Sequence, residues 1–289
     1  MYRNYKFAAT IAALAFASLA CGINLTLPED AIKVGSLVTD NILVQAPSPG
    51  ETTDVLIEFG AGELYIQPDG SNALIQGTAT YNIEDLKPQI TTSGRDVHLD
   101  QGSFEYEFTG LPNFSDIENT WDLQFSSQPI NLEVRAGAFK GDFEFGNMAI
   151  HELKIFGGAS SLNLAFSRPN LVPMGQFKFT SGASNVELTG LANANFSLMN
   201  FQGGGGSYKL DFSGQLLRDA TIEIDGGLSN FSLVVPQGIP AIVTVSSNLT
   251  NVSTSGTWTG SETTFMQAGE GPTLTFIIKL GAGQLTLGN

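Results

Sequence analysis

Val55-Leu-Ile-Glu-Phe-Gly-Ala-Gly-Glu-Leu-Tyr-Ile66 and Phe276-Ile-Ile-Lys-Leu-Gly-Ala-Gly-Gln-Leu-Thr-Leu287 are one phrase written twice, more than two hundred residues apart. In each copy apolar residues alternate with polar ones, stop at a Gly-rich turn, and resume. Between the copies Gly pivots fall at Gly137, Gly157-Gly158, Gly182, Gly204-Gly205 and Gly226-Gly227, so the unit recurs about every 21–24 residues. A fixed period of this size marks a stacked architecture in which each unit buries its apolar face only against its neighbours. Alternation at period 2 marks the limbs as strands. Leu162, Leu164 and Phe166 point one way; Phe177 and Phe179, Phe196 and Leu198, Tyr208, Leu210 and Phe212, Ile222 and Ile224, then Phe231, Leu233 and Val235 continue the inward set. Each pivot falls where the chain turns with φ > 0 or lies against the next coil. No window carries a helical apolar stripe. The expected fold is all-β: a repetitive β-solenoid, or rack, of short strand pairs with Gly-rich turns over residues 51–289.

The beat weakens in two places. Residues 86–119, with Pro88 and Pro112, read as an irregular insertion. Residues 256–272, with Trp258, Phe265 and Met266, read as a cap for the open end of the stack. Residues 21–50 carry Pro28, Pro47 and Pro49 and read as a tether. Within them, 31–44 is apolar enough for either a short helix or a stray strand.

The chain begins as a secretory leader. Arg3 and Lys6 precede an apolar run from Phe7 to Leu19, too short to span a bilayer, and small residues end it at Ala20. The next residue, Cys21, is the only cysteine. Small residues directly before a lone Cys resemble a bacterial lipobox, which predicts cleavage between Ala20 and Cys21 and a lipid on Cys21. Two or more acyl chains anchor a protein stably, at about 0.8 kcal/mol per buried CH₂. The expected location is therefore extracytoplasmic, on the bacterial membrane. Losing Arg3 and Lys6 leaves 11 basic residues against 28 acidic, a net charge of −17. That charge excludes nucleic acid, which needs Lys and Arg to displace counterions, and favours a cationic partner.

Chemistry-bearing residues are sparse. His98 and His151 are the only histidines and stand apart, without the clustered ligands a metal site needs. No nucleophile elbow occurs. Acids at i, i+2 (Glu105/Glu107, Asp142/Glu144 and Glu223/Asp225) would share a strand face about 6.5–7 Å apart, within reach of glycosidase geometry. Alternating acids also describe any solvated strand. Gly203-Gly-Gly-Gly206 sits on the repeat beat with no GK[ST] after it, and reads as a turn rather than a phosphate loop. Six Asn-X-Ser/Thr triplets (at Asn24, Asn113, Asn195, Asn230, Asn248 and Asn251) read as turn asparagines followed by an inward apolar residue.

The Val55–Ile66 phrase, the unit Phe156-Gly-Gly-Ala-Ser-Ser-Leu-Asn-Leu164 and the run Leu228-Ser-Asn-Phe-Ser-Leu-Val-Val-Pro-Gln-Gly238 resemble bacterial toast-rack domains of the DUF2154 and DUF4097 kind. Such domains occur in many lipoproteins and in the extracytoplasmic part of cell-wall-active antibiotic response proteins. The resemblance implies a repetitive β fold outside a membrane, near envelope-stress signalling, and supplies no catalytic residues. The expected function is a non-enzymatic binding or scaffold module with no cofactor. Its partner would be an envelope protein or a glycan, and exposed β edges would allow oligomers. The alternatives are a surface adhesin or glycan-binding protein and, less well supported, a β-helix-type polysaccharide hydrolase or lyase.

Overall fold

The two apolar limbs on either side of each Gly pivot form one strand, bent in the middle. The structure, a computed structural model, describes residues 34–46, 50–102, 117–246 and 250–289. Ala20, Cys21, the Glu105/Glu107 pair, Asn24, Asn113 and Asn248 lie outside the described residues. Sixteen strands follow one another in the described residues. The first six are β1 (Val38–Val44), β2 (Thr53–Pro68), β3 (Ile75–Tyr81), β4 (Gln89–Ser93), β5 (Asp96–Asp100) and β6 (Asn119–Phe125). Then come β7 (Pro129–Glu144), β8 (Ala149–Ala165), β9 (Met174–Thr189), β10 (Phe196–Asp211) and β11 (Ala220–Val234). The last are β12 (Ala241–Ser246), β13 (Thr250–Thr254), β14 (Thr259–Ser261), β15 (Thr264–Gln267) and β16 (Leu274–Gly288).

Seven strands are long. In the spatial order β2, β7, β8, β9, β10, β11, β16 they pair in parallel along both limbs, each forming one rung of the stack. The limb before the bend is the first arm and the limb after it the second. Side-chain parity flips at the bend. In β2, Val55, Ile57 and Phe59 are buried before it and Leu64 and Ile66 after it; in β10, Met199 and Phe201 give way to Tyr208 and Leu210. Both arms thereby turn their apolar sides toward each other, and the core lies between them. Aromatic rings meet across that gap: Phe201 on Tyr208 at 5.1 Å between centroids, and Phe212 on Phe276 at 5.0 Å. Phe179 stacks on Phe201 at 4.7 Å from rung to rung. Leu198 departs from the expected inward set. The alternation slips by one at the start of β10, as it does after Met174 in β9, and turns Leu198 outward.

Crowding is what demands glycine at the bend. A Cβ on Gly137 would lie 2.4 Å from the Gly60 carbonyl oxygen, one on Gly158 2.7 Å from that of Gly137, and one on Gly182 2.6 Å from that of Gly158. The series continues at 2.4 Å for Gly204 on Gly182 and 2.4 Å for Gly227 on Gly204. Positive φ is needed elsewhere in the bend, as at Gly206 (142°).

The period breaks where the chain leaves the stack to build its ends. β5 lies parallel to the first arm of β2 and β6 parallel to the second, so the two make a split rung outside β2. β4 pairs antiparallel with β5, β3 with β6, and β1 with β3. The far end mirrors this: β12 and β13 lie parallel to the two arms of β16. β15 then pairs antiparallel with β12, and β14 with β15, as the capping role of residues 256–272 predicts. The irregular stretch 86–119 contains β4 and β5 and ends where β6 begins. The apolar stretch before residue 44, within the segment read as tether, contains β1, whose Ile42 and Val44 are buried.

Candidate functional site

In-register parallel pairing carries one residue position from rung to rung, so outward side chains form rows across the stack at ~4.8 Å spacing. On the first arm one row reads His98, Leu56, Glu133, Lys154, Lys178, Asn200, Glu223. The next reads Asp100, Glu58, Arg135, Phe156, Thr180, Gln202, Asp225, Lys279. Of the five basic or histidine side chains in these rows, four have a partner: His98, Arg135, Lys154 and Lys178. Arg135 donates to Glu133 at 2.6 Å and to Glu58 at 3.3 Å. The other Glu58 oxygen lies 2.8 Å from His98 Nε2. Lys154 pairs with Glu152 at 3.0 Å, and Lys178 sits 5.4 Å from the Phe156 ring centroid. The hydrogen bond that Arg135 donates to Glu133, then the charge of that carboxylate, raises the Arg135 pKa further above its ordinary value.

A recess of about 190 Å³ lies over Asn200, Glu223, Asp225 and Lys279, and two more open on this face toward β2. The larger, about 490 Å³, runs beside the bend, where Gly137, Gly157 and Gly158 leave the floor bare between Arg135, Phe156 and Glu58. The second, about 320 Å³, lies over Asp54, Leu56, His98, Glu133 and Lys154. Both are troughs in a sheet surface floored by backbone. They suit an extended or protruding partner better than a small molecule enclosed on all sides.

The second-arm face is more neutral. One row holds Ser161, Asn185, Ser207, Asn230, Gln284 and Asn251. Toward the β2 end of the face Tyr65 and Lys140 both bond to Glu63, at 2.6 and 3.1 Å. Those two hydrogen bonds, Tyr65 first, hold the Glu63 carboxyl below its ordinary pKa.

The two described acid pairs, Asp142/Glu144 and Glu223/Asp225, fall on strand faces as expected, and one member of each is tied to the fold. Glu144 accepts from the backbone N–H of Gly146 at 2.6 Å and of Ser167 at 3.1 Å, and Glu223 accepts from Asn200 at 2.8 Å. Asp142 and Glu144 face a shallow recess of about 240 Å³ with Tyr65, Gln67 and Asp122. His151 is the extra residue at a bulge in β8, on a different strand from His98. Among the described residues no three of His, Cys, Asp and Glu gather as a metal site. The Gly203–Gly206 tetrad is the β10 bend, with Gly203 packed against the Tyr208 ring. Asn195 adopts a left-handed turn conformation before buried Phe196, as expected; Asn230 lies within β11 instead, facing outward. Reading strand by strand misses the basic row. Lys154 and Lys178 each stand four residues before a ladder glycine, Gly158 and Gly182, so alignment on the pivots would have brought them together.

The fold and face describe a bent-rung parallel β-solenoid with charged, open sides. The family model for the N-terminal domain of toast-rack proteins, DUF2154, matches residues 35–171, so that stretch carries a toast-rack domain. No curated protein matches the chain. Among solved structures, a candidate cell adhesion protein from Clostridium sporogenes shares 15% identity at a TM-score of 0.44, with 88% of this chain and 99% of that chain covered. A candidate adhesin from Parabacteroides merdae shares 14% at 0.37, with 88% and 97% covered. A candidate lipid-binding protein from Parabacteroides distasonis shares 13% at 0.38, with 87% and 97% covered. Likeness at this level lends the chain no ligand. Among the described residues no helix is long and apolar enough to cross a membrane.

Proposed function

We propose that the chain is a non-enzymatic binding module of the bacterial cell envelope, held to its membrane by a lipid on Cys21 and presenting the first-arm face to another envelope component. The supporting observation is the ion-paired cluster Glu58–Arg135–Glu133 beside Lys154 and Lys178, fixed by strand register next to a bare glycine floor. Such a face is preorganised: its charges are already held in place, so binding orders little and register sets specificity. A hydrolase or lyase reading draws no support from Glu144, whose carboxylate already serves two backbone N–H groups.

The test is in-cell crosslinking and pull-down of the full chain, beside Cys21→Ala and the double variant Lys154→Glu/Lys178→Glu. One dominant envelope protein captured by the parent, and lost in both variants, is the expected result. Capture that survives the double charge reversal would overturn the assignment to this face. A glycan-binding reading rests on the Asn/Ser row of the second arm. It predicts that wall polysaccharide retains the protein and that Asn185→Ala/Asn230→Ala releases it.

A further inference from the structure

We infer that β1 is a docking edge for a second copy of this chain, the two β1 strands pairing antiparallel about a two-fold axis through Asn41. Among the described residues β1 is bonded to β3 on one side only, so its other side presents backbone N–H and C=O groups that no described strand pairs. The stack has other edges, and they are shorter: β4 has five residues, all exposed, β13 has five, and β14 has three, including Gly260. β1 has seven residues, no proline, no bulge and one charge. That charge, Asp40, is occupied: it accepts from Tyr81 Oη at 2.7 Å and has Lys87 at 3.8 Å. The protections that usually blunt an edge are missing here.

The edge is also apolar. Val34, Leu37, Val38 and Leu43 are 45, 61, 40 and 63% exposed, four of the eleven exposed large apolar side chains among the described residues. Self-pairing about Asn41 uses Val38 and Leu43. Val38 would face Val44 of the second copy, Thr39 would face Leu43, Asp40 would face Ile42, and Asn41 would face itself. No acid stands opposite an acid, and opposite like charges are what destabilise a strand pair. The isologous arrangement closes on itself and yields a dimer with no open-ended fibre. A lipid surface fits less well, because hydrocarbon offers nothing to unpaired backbone groups and an acidic chain is repelled by anionic headgroups. One seven-residue pairing is small, so the dimer is expected to be weak, with a Kd of about micromolar or above.

The experiment uses the full chain with Cys21→Ala and one added cysteine. Asn41→Cys should form a disulfide-linked dimer on mild oxidation, because the dyad brings this residue against its own copy. Thr39→Cys alone should not, whereas Thr39→Cys with Leu43→Cys should. Without cysteines, Asn41→Lys and Asn41→Glu should each sediment as monomers and re-form a dimer when mixed, circular dichroism confirming that both are folded. Equal crosslinking at Thr39 and Asn41, or a parent that stays monomeric up to about a hundred times the expected Kd, would overturn the inference. So would Asn41 variants that leave self-association unchanged. Vesicle binding lost in Leu43→Lys, with no dimer in any variant, would assign the edge to lipid and overturn it equally.

Discussion

Replacing Gly204 by Ala, with Gly205→Ala beside it as control, isolates the contact that sets the rung spacing. At Gly204 the new Cβ would lie 2.4 Å from the Gly182 carbonyl oxygen and 3.2 Å from its carbon. Bringing it to even 3.0 Å means parting β9 from β10 at the bend by about 0.6 Å, against parallel ladders that continue along both arms. Neither neighbour is a flexible side chain that can swing aside. Overpacking of this kind costs about 1–3 kcal/mol. At Gly205 the nearest heavy atom is the Leu228 carbonyl oxygen at 3.7 Å, an ordinary contact, and φ lies outside the left-handed region. There the methyl group mainly restricts the unfolded chain, which stabilises by about 0.4–1 kcal/mol. Two adjacent, chemically identical substitutions should therefore differ by about 2.5 kcal/mol, or roughly 5–10 °C in Tm for a domain of this size. Urea unfolding followed by tryptophan fluorescence is suited to the comparison, since Trp121 sits in the rung outside β2 and Trp258 beside the cap beyond β16. If the weakened bend uncouples the two halves, the two signals will separate. Gly204→Ala as stable as Gly205→Ala would refute the crowding argument.

Other outcomes follow from the packing and the charges. Phe201→Ala removes a ring packed on Phe179, Tyr208 and Phe231, and should lower the urea-unfolding free energy by about 3–5 kcal/mol. Burial, then the hydrogen bond to Asp40, pushes the Tyr81 pKa up to about 12. The stability that comes from keeping this phenol neutral is complete below the ordinary tyrosine value near 10 and is lost as pH rises through about 12. In Asp40→Asn the phenolate absorbance of Tyr81 should appear at lower pH. Glu63, with its lowered pKa, contributes above the ordinary carboxylate range and loses that contribution as pH falls through its shifted value. Because Glu63 and Lys140 are 42 and 65% exposed, Lys140→Ala should change stability by less than about 1 kcal/mol, and less still in high salt.

The bend glycines were legible because crowding between rungs leaves a compositional mark at each turn, and the buried faces because period-2 alternation survives in every long strand. Leu198 was misread because a one-residue slip at the start of β10 leaves no trace in composition. The end rungs were hidden for a different reason. β5, β6, β12 and β13 alternate like any short strand, but nothing in their sequence says which neighbour they pair with, and the glycine beat is absent between β12 and β13. Position on the stack is decided by which arm is left uncovered, a property of the assembled core. The Glu58–Arg135–Glu133 cluster was invisible for the same reason: its members lie on two different rungs, and only register joins them.

The placement of β16 bears on how the protein is made. Of the described strands, the last in sequence is not the last in space: β16 lies between β11 and the β12/β13 rung, both synthesised before it. Until those fifteen residues arrive, β11 has a bare flank and the cap has nothing to rest on. A nascent chain that stops short of Leu274 would thus lack its last long rung, its split end rung and its cap together. The stack closes only when β16 is in place, and a chain without it would present open sheet edges that distinguish it from the closed one.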